Sequence, residues 1–153
     1  MSFELYEGFE DPREEFKQEP RWFCYDLSTR LIDEAKEEDE DQWYTHDKTR
    51  HAVLLLLYTW NYAAKVTKQL THQSVRELIE RNRDKLQFLE PYAIIKQDKG
   101  DKEPNDEVWD TIGKVYNDFQ DVMKQTGATK ALSVLNPSLF VMWDTSIRQH
   151  LRK

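Results

Sequence analysis

Apolar residues recur along most of this chain at intervals of three and four, and nowhere in a sustained alternation. That period predicts helices rather than strands. Pro20 suits the first turn of a helix. From there Trp22, Phe23, Leu27, Leu31, Ile32 and Ala35 mark an amphipathic helix to about Lys36. A second helix, about residues 48–68, is apolar nearly all round from His51 to Ala64, so other helices must surround it. Leu70-Thr71 then opens a third, with Thr71 as cap and Leu70 and Val75 as hydrophobic staple. Its stripe is Val75, Leu78, Ile79, Leu86 and Leu89, and Pro91 ends it.

Tyr92 to Ile95 reads as a short helical piece, and residues 97–105 as a charged, mobile loop containing Gly100 and Pro104. A fourth helix runs from about Asp106 to Gln125 on a broad stripe of Val108, Trp109, Ile112, Val115, Phe119 and Met123. Lys124 falls in its last turn and Gly127 just beyond, a helix stop. Lys130 then opens a short apolar helix that Asn136-Pro137 ends. Leu139 to Trp143 runs apolar into Asp144, which heads a last helix from Thr145 and is expected to cap it. The fold class is therefore all-α: a single helical domain, residues 1–153, of five to seven helices around the helix at 48–68. Leu54, Leu55, Leu57, Trp60 and Ala64 should be almost wholly buried, near Trp109, Ile112, Leu132 and Phe140.

Composition narrows the class. The 153 residues suffice for one domain with a proper core. Four Gly and five Pro argue against a turn-rich β fold. Cys24 is the single cysteine, which excludes a disulfide within the chain or a cysteine-ligated cluster and fits a reducing, cytoplasmic setting. His46 and His51 are wrongly spaced for one helical face, so no metal is expected. Nor is any other cofactor expected, since Gly-rich phosphate loops are absent. The start of the chain is acidic and does not read as a secretory leader. Its longest charge-free apolar run, Ala52 to Ala64, is too short to span a bilayer.

The net charge of −7 is unevenly spread. Residues 1–47 carry 5 Lys/Arg against 16 Asp/Glu, and the remainder 17 against 13. Within the acidic third, residues 1–19 form an arm whose Phe3, Tyr6, Phe9 and Phe16 would dock on the body. The run Glu37 to Asp41 repels itself and faces solvent. From Lys124 onward five basic residues face one acid. Arg148, Arg152 and Lys153 there either complement the end of the last helix or meet a DNA phosphate.

Lys130 and Asp144 are the candidate chemistry. Taken alone, each has a plain reading: a solvated lysine and an N-cap. Their setting resembles something more specific. Gly127-Ala128-Thr129-Lys130-Ala131, Asn136-Pro137-Ser138-Leu139-Phe140 and Trp143-Asp144-Thr145-Ser146-Ile147 are similar to the catalytic corner of helix-hairpin-helix DNA glycosylases. The turn departs from the family's usual Leu-Pro-Gly-Val-Gly, reading Gln125-Thr126-Gly127-Ala128-Thr129. The resemblance covers about 26 C-terminal residues, counted from Thr126 to Leu151. It implies Lys130 as amine nucleophile, attacking C1′ as a neutral amine, and Asp144 as its electrostatic partner, with DNA met at the basic C-terminal end. Trp143, Trp60 and Tyr62 would line a base-stacking site, Asn61 is a pocket or structural amide, and Arg148 a substrate contact. The competing expectation is a non-catalytic helical interaction module that binds a basic protein partner through its acidic N-terminal third.

Overall fold

A computed structural model describes residues 20–60, 70–94 and 100–142. Among these residues the chain forms four α-helices: α1 Pro20–Glu38, α2 Asp47–Trp60, α3 His72–Leu89 and α4 Asp106–Leu135. A single 3-10 turn, Trp43–Thr45, joins α1 to α2. The described fold is all-α, with fewer helices than the five to seven expected. Part of the difference is one of division: α4 comprises two helical segments that meet at Lys124, whose backbone is non-helical, and the break falls there rather than at Gly127. The arm at 1–19, the stretch 61–69 with Ala64, and the capping of a helix by Asp144 lie outside the described residues.

The second helix is the hub, since α2 packs against α1, α3, α4 and the 3-10 turn. Its buried stripe is Thr49, Ala52, Val53, Leu56 and Leu57, spaced to give one helical face. Leu54, Leu55 and Trp60 flank it half-buried, and Tyr58 is exposed, so the helix is not enclosed all round. Small residues meet where α1 crosses α2. The Ser28 hydroxyl of α1 donates to its own Cys24 carbonyl at 2.7 Å and to Ala52 O on α2 at 3.0 Å, and both Ser28 and Ala52 are fully buried.

Helix α3 starts as expected. Ser74 N–H donates to Thr71 Oγ1 at 3.1 Å and Thr71 N–H to Ser74 Oγ at 2.9 Å, a reciprocal cap that satisfies two otherwise orphaned amides. Leu70 and Val75 are both buried beneath it. Beyond Pro91 the described residues 92–94 are not helical. Lys102 N–H donates to Pro91 O at 2.8 Å and Ala93 N–H to Lys102 O at 3.0 Å, so Tyr92 bridges in parallel to Lys102. These bonds replace the expected helical turn at 92–94 and tie down the Lys102 end of the charged loop.

Helix α4 begins at Asn105, whose side chain accepts Val108 N–H at 3.0 Å. Val108, Val115, Phe119 and Met123 are buried, whereas Trp109 is 50% exposed, contrary to its expected place in the core. Trp109 stands about 100° round the helix from Val108, and Val108 takes the inward position. The kink falls on Lys124, with φ 63° and ψ 171°. Gly127 is not the stop: it is buried within the second segment of α4, together with Ala128 and Ala131. Asn136 then caps the helix. Its Nδ2 donates to Leu89 O at 3.2 Å and its Oδ1 accepts Leu139 N–H at 3.2 Å, which ties the end of α4 to the end of α3. No described helix is long and apolar enough to cross a membrane.

Candidate functional site

Beyond the kink, α4 enters the core. Ala128, Ala131, Leu132, Val134 and Leu135 are buried there, and Lys130 sits among them at 3% exposure. It is the single buried lysine of the described residues, in mid-segment rather than at a helix start. Transferring an ammonium from water into a packed interior is costly unless polar groups receive it. One receiver is the backbone: Lys130 Nζ donates to Trp60 O at 2.8 Å. Trp60 is the last described residue of α2, so the amine of α4 is tied to the backbone of that helix. The indole of the same residue faces it, its ring centroid 5.7 Å from Nζ. Tyr25 of α1 stands edge-on to that indole at 6.2 Å and 84°. Burial raises the Tyr25 phenol above its ordinary value, so it stays a neutral hydroxyl.

Three helices thus meet here: α4 brings Lys130 to Trp60 of α2, and α1 brings Tyr25 to the other side of the contact, against the Trp60 ring. Two of the expected site residues, Lys130 and Trp60, meet across 70 residues of sequence. The other five, Asp144, Trp143, Asn61, Tyr62 and Arg148, lie outside the described residues. Tyr25 was not anticipated, and only its place in the amphipathic first helix could have signalled it.

The same segment of α4 borders a cavity of about 660 Å³, lined by Trp109, Ile112, Tyr116, Thr126, Thr129 and Phe140 among others. This is the size range of small-molecule sites. The exposure of Trp109 is explained by its place in this wall. Lys130 itself is not one of the lining residues, although the preceding Thr129 is. Comparison with family models, with curated proteins and with solved structures finds no match. Function therefore rests on what these side chains can do.

Chemically, the arrangement offers an amine held away from water and oriented by a backbone carbonyl. Burial disfavours the charged form of an amine, which is how lysines are generally prepared as nucleophiles. Among the described residues no three His, Cys, Asp or Glu side chains gather to hold a metal.

Proposed function

We propose that this protein is a base-excision glycosylase/lyase acting on DNA, with Lys130 as amine nucleophile and Asp144 as its electrostatic partner. The observation that carries the reading is the buried Lys130 amine facing Trp60. A lysine retained inside a helical core at such desolvation cost is a candidate for chemistry. In the proposed step the Nζ lone pair attacks C1′ of the damaged nucleotide. The glycosidic C–N bond breaks, and the base leaves with the bonding pair and takes up a proton. Loss of the amine proton and opening of the sugar ring give an imine between Lys130 and C1′. The Asp144 carboxylate would stabilise the positive charge that develops on the sugar. The aromatic-walled cavity beside Thr129 offers room for an extruded base.

Base release and strand cleavage across a panel of damaged duplexes test this. Wild type should act on at least one lesion and Lys130→Met on none, with the helical circular dichroism of the variant unchanged. Equal activity in the variant, or none in wild type across the panel, would count against the reading.

A second reading, a non-catalytic module that binds a basic protein, is favoured by one observation. Glu37, Glu40 and Glu90 share a cavity of about 490 Å³ with Trp43, whose indole N–H donates to Glu90 at 3.0 Å. Charge reversal at Glu37 and Glu40 should abolish such binding without affecting lesion processing.

A further inference from the structure

Positive charge concentrates where the start of α2 meets α3 and the 3-10 turn. Arg50 of α2 has a side chain only 7% exposed. Its Nη1 donates to Thr45 O at 2.6 Å and its Nη2 pairs with Asp47, but its Nε–H, fully buried, has no partner among the described residues. Arg83 of α3 donates from Nη1 to Gln42 Oε1 at 3.0 Å, and its buried Nε–H is likewise unpartnered. Arg76 lies seven residues before Arg83, hence on the same face of α3. Its Nε pairs with Glu80 at 2.7 Å. The rings of His51 and His72 lie 5.2 Å apart at the same junction. Three guanidinium groups, two of them paired with a carboxylate (Asp47 and Glu80), and two imidazoles thus gather at this junction.

Two consequences of this crowding are visible. Arg50 is held below its ordinary value by burial and then by the charge of Arg76, with Glu80 opposing. The His72 imidazole is lowered by desolvation and then by Arg50, His51 and Arg76. Like charges in proximity are unfavourable, and an anion bound among them would offset that. Thr45, Arg76, Glu80 and Arg83 enclose a cavity of about 330 Å³ at this place. Guanidinium groups match tetrahedral oxyanions through paired N–H donors.

We propose that the cavity between Arg76 and Arg83 is a binding site for a phosphate group, carried either by free phosphate or by a small phosphate monoester. Arg76 and Arg83 supply the charge-assisted donors from one face of α3. Glu80 holds Arg76 through Nε and leaves the Nη edge of that guanidinium for the ligand. The carboxylate of Glu80 also weakens binding by its charge, so its neutralisation should tighten it. The site is separate from Lys130 and stands or falls independently of the proposed chemistry there.

Calorimetric titration of the full chain with inorganic phosphate and with ribose 5-phosphate tests it, against sodium chloride at matched ionic strength. Saturable binding is expected for at least one phosphate ligand, and preference for one of them identifies the source. Arg76→Gln should weaken it by ~10-fold or more, as loss of a charge-assisted pair does. Glu80→Gln should strengthen it. Since Arg76 is half-exposed, its variant should fold, and thermal melting without ligand checks that. Ring proton shifts of His72 should titrate at higher pH once phosphate is bound, because the anion offsets the neighbouring arginines. No saturable heat with either ligand, the same response to chloride, or undiminished binding in Arg76→Gln would overturn the proposal.

Discussion

Lys130 Nζ lies 2.8 Å from the carbonyl oxygen of Trp60, so the segment of α4 beyond the kink reaches the last described turn of α2 through an amine buried to 3% exposure. Two opposing effects act on that amine. It donates to a backbone carbonyl, yet it must be taken out of water. Methionine removes the desolvation cost together with the bond to Trp60 O and keeps the length of the side chain, so its two effects offset, whereas truncation leaves a cavity as well. Lys130→Met should therefore change stability by less than ~1 kcal/mol, and Lys130→Ala should cost ~2–4 kcal/mol. Urea denaturation of both variants measures this. A loss in Lys130→Met as large as in Lys130→Ala would mark the lysine as structural.

The kink at Lys124 has φ 63° with ψ 171°, a combination open to glycine and strained for any residue with a Cβ. Lys124→Gly should relieve that strain. After the entropy that glycine adds to the unfolded chain, a net gain of ~1 kcal/mol is expected. Lys124→Ala keeps the Cβ and should gain nothing. Denaturation midpoints with an unchanged urea slope would check both, and a destabilised glycine variant would contradict this backbone account.

Leu56 and Leu55 are neighbours on α2 with different surroundings. Leu56 is fully buried and Leu55 is half-buried. Leu56→Ala should cost ~2–5 kcal/mol, the range for a core leucine, and Leu55→Ala clearly less. Equal costs would mean that a further part of the chain covers Leu55.

These residues also mark how far the sequence could be read. The period of three and four located four helices, and the Thr71 cap and the Asn136-Pro137 end were legible because local chemistry decides them. The kink was misplaced because Gly127 is the residue that most readily ends a helix, whereas packing uses it as a small residue in the core. The chain breaks instead at exposed Lys124, between the stripe ending at Met123 and the one beginning at Gly127. The sequence places Trp109 in the core as part of one broad stripe, but the face that is buried is narrower and centres on Val108 and Val115. The meeting of Lys130 with Trp60, and of Arg50 with Arg76 and Arg83, depends on which helices become neighbours, which spacing does not encode. The seven-residue interval from Arg76 to Arg83 was the one visible sign of the basic cluster.

His72 gives a pH signature. Its imidazole is depressed below its ordinary value of 6.5 by desolvation, then by Arg50, His51 and Arg76. The unfolded chain therefore binds the proton more readily than the folded one, so stability falls as pH drops from about 6.5 through the lower folded value. Below that value the effect is complete and the curve flattens. His72→Gln should remove this part of the acid-side loss. Thermal midpoints of wild type and variant between pH 7.5 and 5, a window of about one unit above and below the imidazole range, should converge at the top and separate at the bottom. Parallel curves would contradict it.

The most direct test of the proposed chemistry is borohydride trapping on a duplex that carries an abasic site. A Lys130 amine that attacks the ring-opened sugar aldehyde loses water to form an imine, and hydride reduction fixes it as a stable secondary amine. Peptide mapping of the trapped complex should place the adduct on Lys130, and Lys130→Met should give none while retaining the wild-type helical spectrum. No adduct, or one that persists undiminished in Lys130→Met, would contradict the assignment of Lys130 as nucleophile.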